Sequence, residues 1–175
     1  MIRIVWGVGT ARTAKASFDA ALADATIHQY NLRQLSSVIP AETALELTGD
    51  APDLGPAGNV LDVVMARQTS EPGHRASAGL AWVREASETT EQADSLSEEA
   101  DTSGQTDGPG IFYEVEDHDP ETVEKLLRTG IEHGCELRGL DSEAVETKVV
   151  TAESSPDEYT TATAVAVYGE STSLL

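Results

Sequence analysis

Cations, aromatic residues and cysteine are all scarce in this sequence. Its 175 residues hold 11 Lys and Arg against 31 Asp and Glu, and three of those cations are lysines. Aromatic residues reach only 5%, so we expect a core built from Val, Leu, Ile and Ala. The single cysteine, Cys135, excludes an internal disulfide framework and fits a reducing compartment. No apolar run approaches membrane-spanning length, and we therefore expect a soluble protein of the cytoplasm.

The excess of acid gives a formal net charge of -20, far from the magnitude of about 2–8 that suits a small domain. Like charges repel one another and destabilise the compact state, but salt at about 1 M screens them over roughly 3 Å. We therefore interpret the charge as a halophilic adaptation to a salty cytoplasm, in preference to a specific basic partner. Such a surface repels nucleic acid and anionic lipid, so neither nucleic acid nor a membrane is expected as a partner.

Periodic apolar residues predict a single domain over residues 1–175, with about seven strands and two helices. The strands are expected at 2–6, 30–35, 60–66, 76–83, 110–116, 145–150 and 161–168, with a turn at 7–10. The first helix follows from Phe18, Ala21, Leu22 and Ala25, which recur at helical spacing. Because strands and helices do not alternate cleanly, we expect an α+β fold with helices layered on a mostly antiparallel sheet.

The second predicted helix has signals at both ends. Asp119 and Pro120 form a good start, as the N-cap and the first helical residue. Gly134 is the expected C-cap. The residues expected to form the buried stripe between them are Val123, Leu126, Leu127, Gly130 and Ile131.

Residues 85–109 differ in kind from the rest of the sequence. They include eight acidic residues, no Lys or Arg and almost no large apolar side chain. Such a segment cannot bury enough surface to offset the entropy lost on ordering. We therefore predict a disordered acidic insertion, directly before the strand at 110–116.

Common catalytic and ligand-binding motifs are missing. The four histidines form no metal-ligand spacing, and no metal is expected. Gly7 and Gly9 lack both the third glycine of a dinucleotide fingerprint and the lysine of a phosphate-binding loop. No G-x-S-x-G nucleophile elbow occurs.

A pair of adjacent serines within residues 31–40 (NLRQLSSVIP) is more informative. Alone, Ser36 and Ser37 predict only hydroxyl groups that cap a turn at the end of a strand. Their surroundings change this interpretation. The segments that accompany the pair, in chain order, are 17–22 (SFDAAL), 110–116 (GIFYEVE) and 134–139 (GCELRG).

Together these segments resemble the pyruvoyl-dependent arginine decarboxylases, well at both ends of the chain and weakly in the middle. The resemblance implies that the Ser37 hydroxyl attacks the carbonyl of Ser36 and that the backbone then breaks between them. The products would be a β chain of residues 1–36 and an α chain of residues 37–175, which begins with a covalent pyruvoyl group made from Ser37. No external cofactor would be needed. The resemblance also implies an αββα-type sandwich and a homotrimer or a multiple of trimers.

The resemblance assigns roles to three further residues. Glu114 matches the general acid that protonates the reacting carbon after carbon dioxide leaves, and it shares a strand face with Phe112 and Glu116. Asp19 matches the position that binds the guanidinium group of arginine, which a carboxylate can hold bidentately. Asn31 matches a residue that forms hydrogen bonds near the cleavage site.

The position of Asn31 raises a geometric problem. Six residues of straight strand would put it roughly 20 Å from Ser37. Either the chain bends sharply between them, or Asn31 serves the site of a neighbouring subunit. Trimers with sites at the subunit interfaces, as the resemblance implies, make the second option natural.

The function implied by the resemblance is decarboxylation of L-arginine to agmatine and carbon dioxide, which would feed polyamine synthesis. Two alternatives stay open. One is a pyruvoyl decarboxylase of another amino acid, because the middle of the chain, where part of the substrate pocket should lie, matches the family weakly. The other is an uncleaved, non-catalytic subunit of a hetero-oligomer, although such a subunit has no physical need to keep the serine pair, Asn31 and Glu114.

Overall fold

The computed structural model describes residues 1–85, 108–141 and 144–175 of the chain. Most of the acidic insertion predicted at 85–109 lies outside these residues. The elements, in chain order, are β1 (Ile2–Ala11), α1 (Ala14–Asp24), β2 (Asn31–Gln34), β3 (Val38–Ile39), β4 (Leu45–Gly49), β5 (Val60–Ser70), β6 (Ala76–Arg84), β7 (Gly110–Asp117), α2 (Pro120–Glu136), β8 (Glu146–Ala152) and β9 (Tyr159–Tyr168). Neither helix in the described ranges has the length and apolar character needed to cross a membrane.

The strands form two sheets. A five-stranded sheet has the order β2-β5-β9-β1-β4, and a four-stranded sheet has the order β3-β7-β6-β8. The edge strands β2 and β4 pair in parallel with β5 and β1. The remaining pairs between the named strands are antiparallel. The α+β class with mostly antiparallel pairing therefore agrees with the sequence prediction.

The buried apolar side chains form three clusters. One draws on both sheets, with Ile4 of β1 and Leu80 of β6 among its members. A second combines α1, through Leu22, with strands of the five-stranded sheet. A third combines α2, through Leu127, with strands of the four-stranded sheet. Successive strand residues point to opposite faces, so each sheet contributes to two clusters.

The turn predicted at residues 7–10 is wrong, because β1 continues through them and pairs with β9 as far as Ala11. The glycines serve close packing against α1. A Cβ atom at Gly7 would lie 2.0 Å from the carbonyl oxygen of Ala21, and one at Gly9 would lie 2.4 Å from that of Ser17. The glycines therefore let the first helix approach the strand backbone, a role that their sequence context did not indicate.

The second helix begins as predicted and ends later than predicted. The Asp119 side chain accepts a hydrogen bond from the backbone N–H of Thr122, as an N-cap does. The expected C-cap, Gly134, is wrong, because the helix continues to Glu136. A Cβ atom at Gly134 would lie 2.8 Å from Cδ1 of Ile111, so this glycine also serves packing.

The predicted buried stripe of α2 is correct in part. Val123, Leu127 and Ile131 are fully buried, whereas Leu126 is 45% exposed. Gly130 lies under the ring of Tyr113, where a Cβ atom would come within 2.1 Å of the ring. The helix therefore contacts the sheet along a narrower stripe than the spacing of apolar residues suggested.

Candidate active site

The predicted cleavage site lies between β2 and β3, against β7. Strand β3 pairs antiparallel with β7, and the backbone N–H of Phe112 donates to the carbonyl oxygen of Ser37 at 2.9 Å. This pairing brings the Ser37 hydroxyl to the carboxylate of Glu114, to whose Oε1 it donates at 2.6 Å. Two residues 77 positions apart, both singled out from the sequence, are therefore in direct contact.

The Ser36 carbonyl, which lies directly before Ser37, is also held by a hydrogen bond. The backbone N–H of Val38 donates to this oxygen at 2.7 Å, which closes a tight three-residue turn centred on Ser37. Ser36 is exposed and Ser37 is half-buried. The peptide bond between the serines is therefore accessible, and its carbonyl already has a donor aimed at the oxygen.

Tyr168, at the end of β9, is a site residue that the sequence did not indicate. Its hydroxyl donates to the carbonyl oxygen of Val38 at 2.9 Å, and its ring lies edge-on to Phe112 with the centroids 6.4 Å apart. Burial, with the negative charge of Glu114 as the second cause, raises the pKa of Tyr168 to about 12. No local motif marks this tyrosine, because its partner is 130 positions away.

The chain that follows β3 is held by Arg84 of β6. Its guanidinium donates to the carbonyl oxygens of Thr43 and, at 3.3 Å, of Pro40. The same side chain donates to the carbonyl oxygen of Gly108, where β7 is about to begin. Arg84 therefore fixes the segment that would start the α chain to the four-stranded sheet.

Glu114 faces the other sheet from the middle of β7. Its direct cross-strand partner on β6 is Leu80, which belongs to the cluster shared by the two sheets. Phe112, two residues before it, is only 2% exposed, and Glu116, two residues after it, is exposed. The carboxylate is half-buried at the rim of this cluster, beside an apolar ring on one side and solvent on the other.

Asn31 does not contact the cleavage site within its own chain. Its side-chain amide donates to the carbonyl oxygen of Gly58 at 2.6 Å, and its backbone N–H donates to that of Asn59. The ladder with β5 runs from Asn31 to Leu35 without a bend, which separates these residues by roughly 13 Å. The sharp bend considered from the sequence is therefore absent from 31–35.

Asp19 lies on α1, which packs against the five-stranded sheet and not against the sheet that carries Glu114. Its side chain is exposed. Among the described residues it has no hydrogen-bond or ion-pair partner. The site residues predicted from the sequence therefore fall into two groups, with Ser36, Ser37 and Glu114 together and Asp19 and Asn31 elsewhere on the chain.

Comparison with known proteins identifies the family. The model of a family described as pyruvoyl-dependent arginine decarboxylase matches residues 1–173. The chain belongs to this family. The family resemblance inferred from the serine pair and its three accompanying segments is confirmed over nearly the whole chain.

Several members of the pyruvoyl-dependent arginine decarboxylase family can be aligned with most of the chain. Those of two Halobacterium salinarum strains are 45% identical over 174 residues, which cover 97% of this chain and 94% of theirs. That of Methanopyrus kandleri is 32% identical over 164 residues, or 93% of this chain and 91% of its own. The middle of the chain, which resembled the family weakly by motif, is thus included in these alignments.

Membership of the pyruvoyl-dependent family implies a covalently bound pyruvoyl group, and the residues around Ser37 fit one. The serine from which it would form is half-buried, and its carbonyl oxygen is held by the backbone N–H of Phe112. The Glu114 carboxylate lies within hydrogen-bond distance of its hydroxyl. A ketone formed at position 37 would therefore lie beside the Glu114 carboxyl group, next to a carbonyl that the Phe112 N–H holds in place.

Proposed function

We propose that this protein decarboxylates L-arginine to agmatine and carbon dioxide, after its backbone breaks between Ser36 and Ser37. The observation that carries the proposal is the 2.6 Å hydrogen bond from the Ser37 hydroxyl to Glu114, in a chain that matches the family over residues 1–173. Arginine as the substrate is supported by the names of the relatives, including the 45% identical proteins of Halobacterium salinarum.

The self-cleavage begins when the Ser37 oxygen attacks the carbonyl carbon of Ser36. The new C–O bond replaces the C–N bond of the peptide, the amine of Ser37 takes up the hydroxyl proton, and an ester joins the two serines. Elimination then removes the Cα proton of residue 37 and breaks the bond between its side-chain oxygen and Cβ, so Ser36 leaves as a carboxylate. Water finally replaces the nitrogen of the dehydroalanine left at position 37, which releases ammonia and leaves the pyruvoyl group.

Glu114 has two separable contributions in this proposal. During self-cleavage, its oxygen accepts the hydrogen bond of the Ser37 hydroxyl and so orients the nucleophile. The pyruvoyl group later supplies a ketone for the substrate amine and an adjacent carbonyl as an electron sink. Because Glu114 lies beside position 37, we assign it the donation of a proton to the substrate carbon that has lost carbon dioxide.

We also propose that each complete site combines residues of neighbouring subunits, in a homotrimer or a multiple of trimers. Asn31 and Asp19 carry the expected chemistry but have no contact with Ser37 in their own chain. Asp19 is exposed and can take an arginine guanidinium bidentately, whereas Asn31 lies at a sheet edge. Supply of these side chains by an adjacent subunit accounts for both positions.

The layer order of the fold, the net charge and the expected product also fit this proposal. The cluster between the sheets and the two clusters beneath the helices support a layer order of helix, sheet, sheet, helix. The net charge of -20 and the similarity to proteins of Halobacterium salinarum support a halophilic, cytoplasmic enzyme. Agmatine, the expected product, would serve polyamine synthesis there.

Denaturing intact-mass measurement of the purified protein tests the cleavage site. We expect chains of residues 1–36 and 37–175, the second of which resists N-terminal sequencing because a pyruvoyl group has no amine. The Ser37→Ala variant should stay uncut and inactive, since alanine offers no nucleophile. An uncut parent chain after folding in high salt would instead favour the non-catalytic subunit, and a cut chain without activity on arginine would favour another amino acid.

A further inference from the structure

Three consecutive carbonyl groups around the scissile bond each accept one hydrogen bond. Val38 N–H donates to Ser36, Phe112 N–H donates to Ser37, and the Tyr168 hydroxyl donates to Val38. Two of the donors are backbone groups: the Val38 N–H belongs to the turn itself, and the Phe112 N–H belongs to the paired strand β7. Tyr168 is the one side chain among them, and no step of the proposed function uses it.

The hydrogen bond to the Ser36 carbonyl has a chemical consequence. When the Ser37 oxygen attacks this carbonyl, negative charge develops on the Ser36 oxygen. A donor already aimed at such an oxygen stabilises the transition state without further reorganisation. The Val38 N–H, at 2.7 Å, is such a donor, provided that residue 38 keeps its position in the turn.

Strand β3 by itself gives residue 38 little support. It has only two residues and pairs with β7 alone. The Val38 side chain is 49% exposed and so contributes little packing. The carbonyl of Val38 is therefore the natural place to anchor the turn, and the Tyr168 hydroxyl is bound to it at 2.9 Å.

Tyr168 is itself well fixed. Its backbone lies opposite Ile2 in the pairing of β9 with β1, and its ring packs against the cluster between the sheets and against Phe112. A tyrosine hydroxyl is protonated at neutral pH, and burial raises the pKa of Tyr168 further, to about 12, so the group is a donor. The anchor is thus tied to the five-stranded sheet, whereas the turn lies against the four-stranded one.

We propose that Tyr168 is a positioning residue for self-cleavage: its hydroxyl holds the Val38 carbonyl and thereby keeps the Val38 N–H on the Ser36 carbonyl. The proposal rests on cleavage between Ser36 and Ser37. It adds a residue whose effect reaches the reacting atoms through the backbone of the turn.

The Tyr168→Phe variant tests the proposal, with Tyr30→Phe as the matched control. Both substitutions remove one hydroxyl that donates to a backbone carbonyl, since Tyr30 donates to Gly55 at 3.0 Å. The appearance of the two chains is followed by mass spectrometry after a pulse of cell-free synthesis in high salt. We expect Tyr168→Phe to slow cleavage by about 3- to 10-fold, the effect of one neutral hydrogen bond, and Tyr30→Phe to cleave at the parent rate.

A spectroscopic measurement separates positioning from a general loss of stability. Val38-Ile39 is the only Val-Ile dipeptide in the sequence, so carbonyl-labelled valine with nitrogen-labelled isoleucine gives one signal that reports the Val38 carbonyl. In an uncut Ser37→Ala background, Tyr168→Phe should move the carbonyl carbon resonance upfield, as loss of a hydrogen bond does. Tyr30→Phe should leave it in place.

The outcomes distinguish this proposal from the cleavage site on which it rests. A parent chain that stays uncut would overturn the proposed cleavage. A parent chain that cuts normally beside a Tyr168→Phe variant that cuts at the same rate would overturn only the role of Tyr168. Equal slowing by both tyrosine variants, or an unmoved Val38 carbonyl signal, would show a merely structural effect and would also overturn it.

Discussion

At the scale of single residues, the Ser37 and Glu114 side chains meet across 77 positions of sequence through the pairing of β3 with β7. A glutamine at position 114 would keep an oxygen that can accept the Ser37 hydroxyl bond. It would lack the transferable proton that the decarboxylation needs. Cofactor formation and turnover should therefore respond differently to the same substitution.

We expect Glu114→Gln to split into two chains like the parent and to release agmatine about 10²- to 10⁴-fold more slowly, the usual worth of general acid catalysis. Intact mass gives the extent of cleavage, and product formation from arginine gives the rate. Glu116→Gln is the control, because Glu116 lies on the same strand face but is exposed. Parent-like turnover of Glu114→Gln, with slow turnover of the control, would move the general acid to Glu116.

Asp19 should act on substrate binding and not on the reacting carbon. We expect Asp19→Asn to raise the KM for arginine by about tenfold or more with kcat little changed, because it removes a charge-assisted hydrogen bond to the guanidinium. Steady-state kinetics in high salt measure both constants. Glu132→Gln makes the same charge change at an exposed position of α2 and should leave KM unaltered. A KM rise of similar size in both variants would point to the overall charge.

At the scale of elements, cleavage would separate β1, α1 and β2 from the rest of the chain. Strand β1 nevertheless lies inside the five-stranded sheet, paired with β9 along its whole length from Ile2 to Ala11 and with β4 on its other side. Gly7 and Gly9 let α1 pack on it at backbone distance. The new ends therefore leave the main ladder of the sheet intact.

We expect the fragments of residues 1–36 and 37–175 to remain one particle under native conditions. Size-exclusion chromatography in high salt should elute them together, and denaturant should separate them. The uncut Ser37→Ala variant provides the reference elution volume. Release of the 1–36 fragment from folded protein would contradict the pairing of β1 in the interior of the sheet.

At the scale of the whole molecule, the formal net charge of -20 opposes both folding and assembly. Raising the salt from about 0.1 M to about 1 M shortens the screening length from roughly 10 Å to roughly 3 Å. The balance between repulsion and burial should therefore depend strongly on salt.

We expect activity, resistance to unfolding and the sedimentation coefficient all to increase over this range of salt. Sucrose is the control, because it favours burial of surface without screening charge. An effect of sucrose as large as that of salt would assign the stabilisation to burial. Full activity and unchanged sedimentation at low salt would exclude a halophilic role for the acidic surface.

The sequence by itself determined the features that depend on local pattern. The apolar strands around 60–66, 76–83 and 110–116 and the start of α2 at Asp119 follow from periodicity and capping, because side-chain direction repeats within each element. Family membership followed from four short segments, 17–22, 31–40, 110–116 and 134–139, in their order along the chain. Each of these inferences uses local patterns and their order along the chain, and none needs contacts in space.

The tertiary structure decided what depends on residues far apart in sequence. β3 has two residues, too few to carry a periodic signal, yet its pairing with β7 brings Ser37 to Glu114. Gly7 and Gly9 looked like a turn, because nothing local reveals the helix that packs against them. Tyr168 carries no motif. Its contact with Val38 exists only because the end of β9, in the five-stranded sheet, lies next to β3, in the four-stranded sheet. Long-range contacts of this kind are set by the order and register of strands, which local periodicity does not encode.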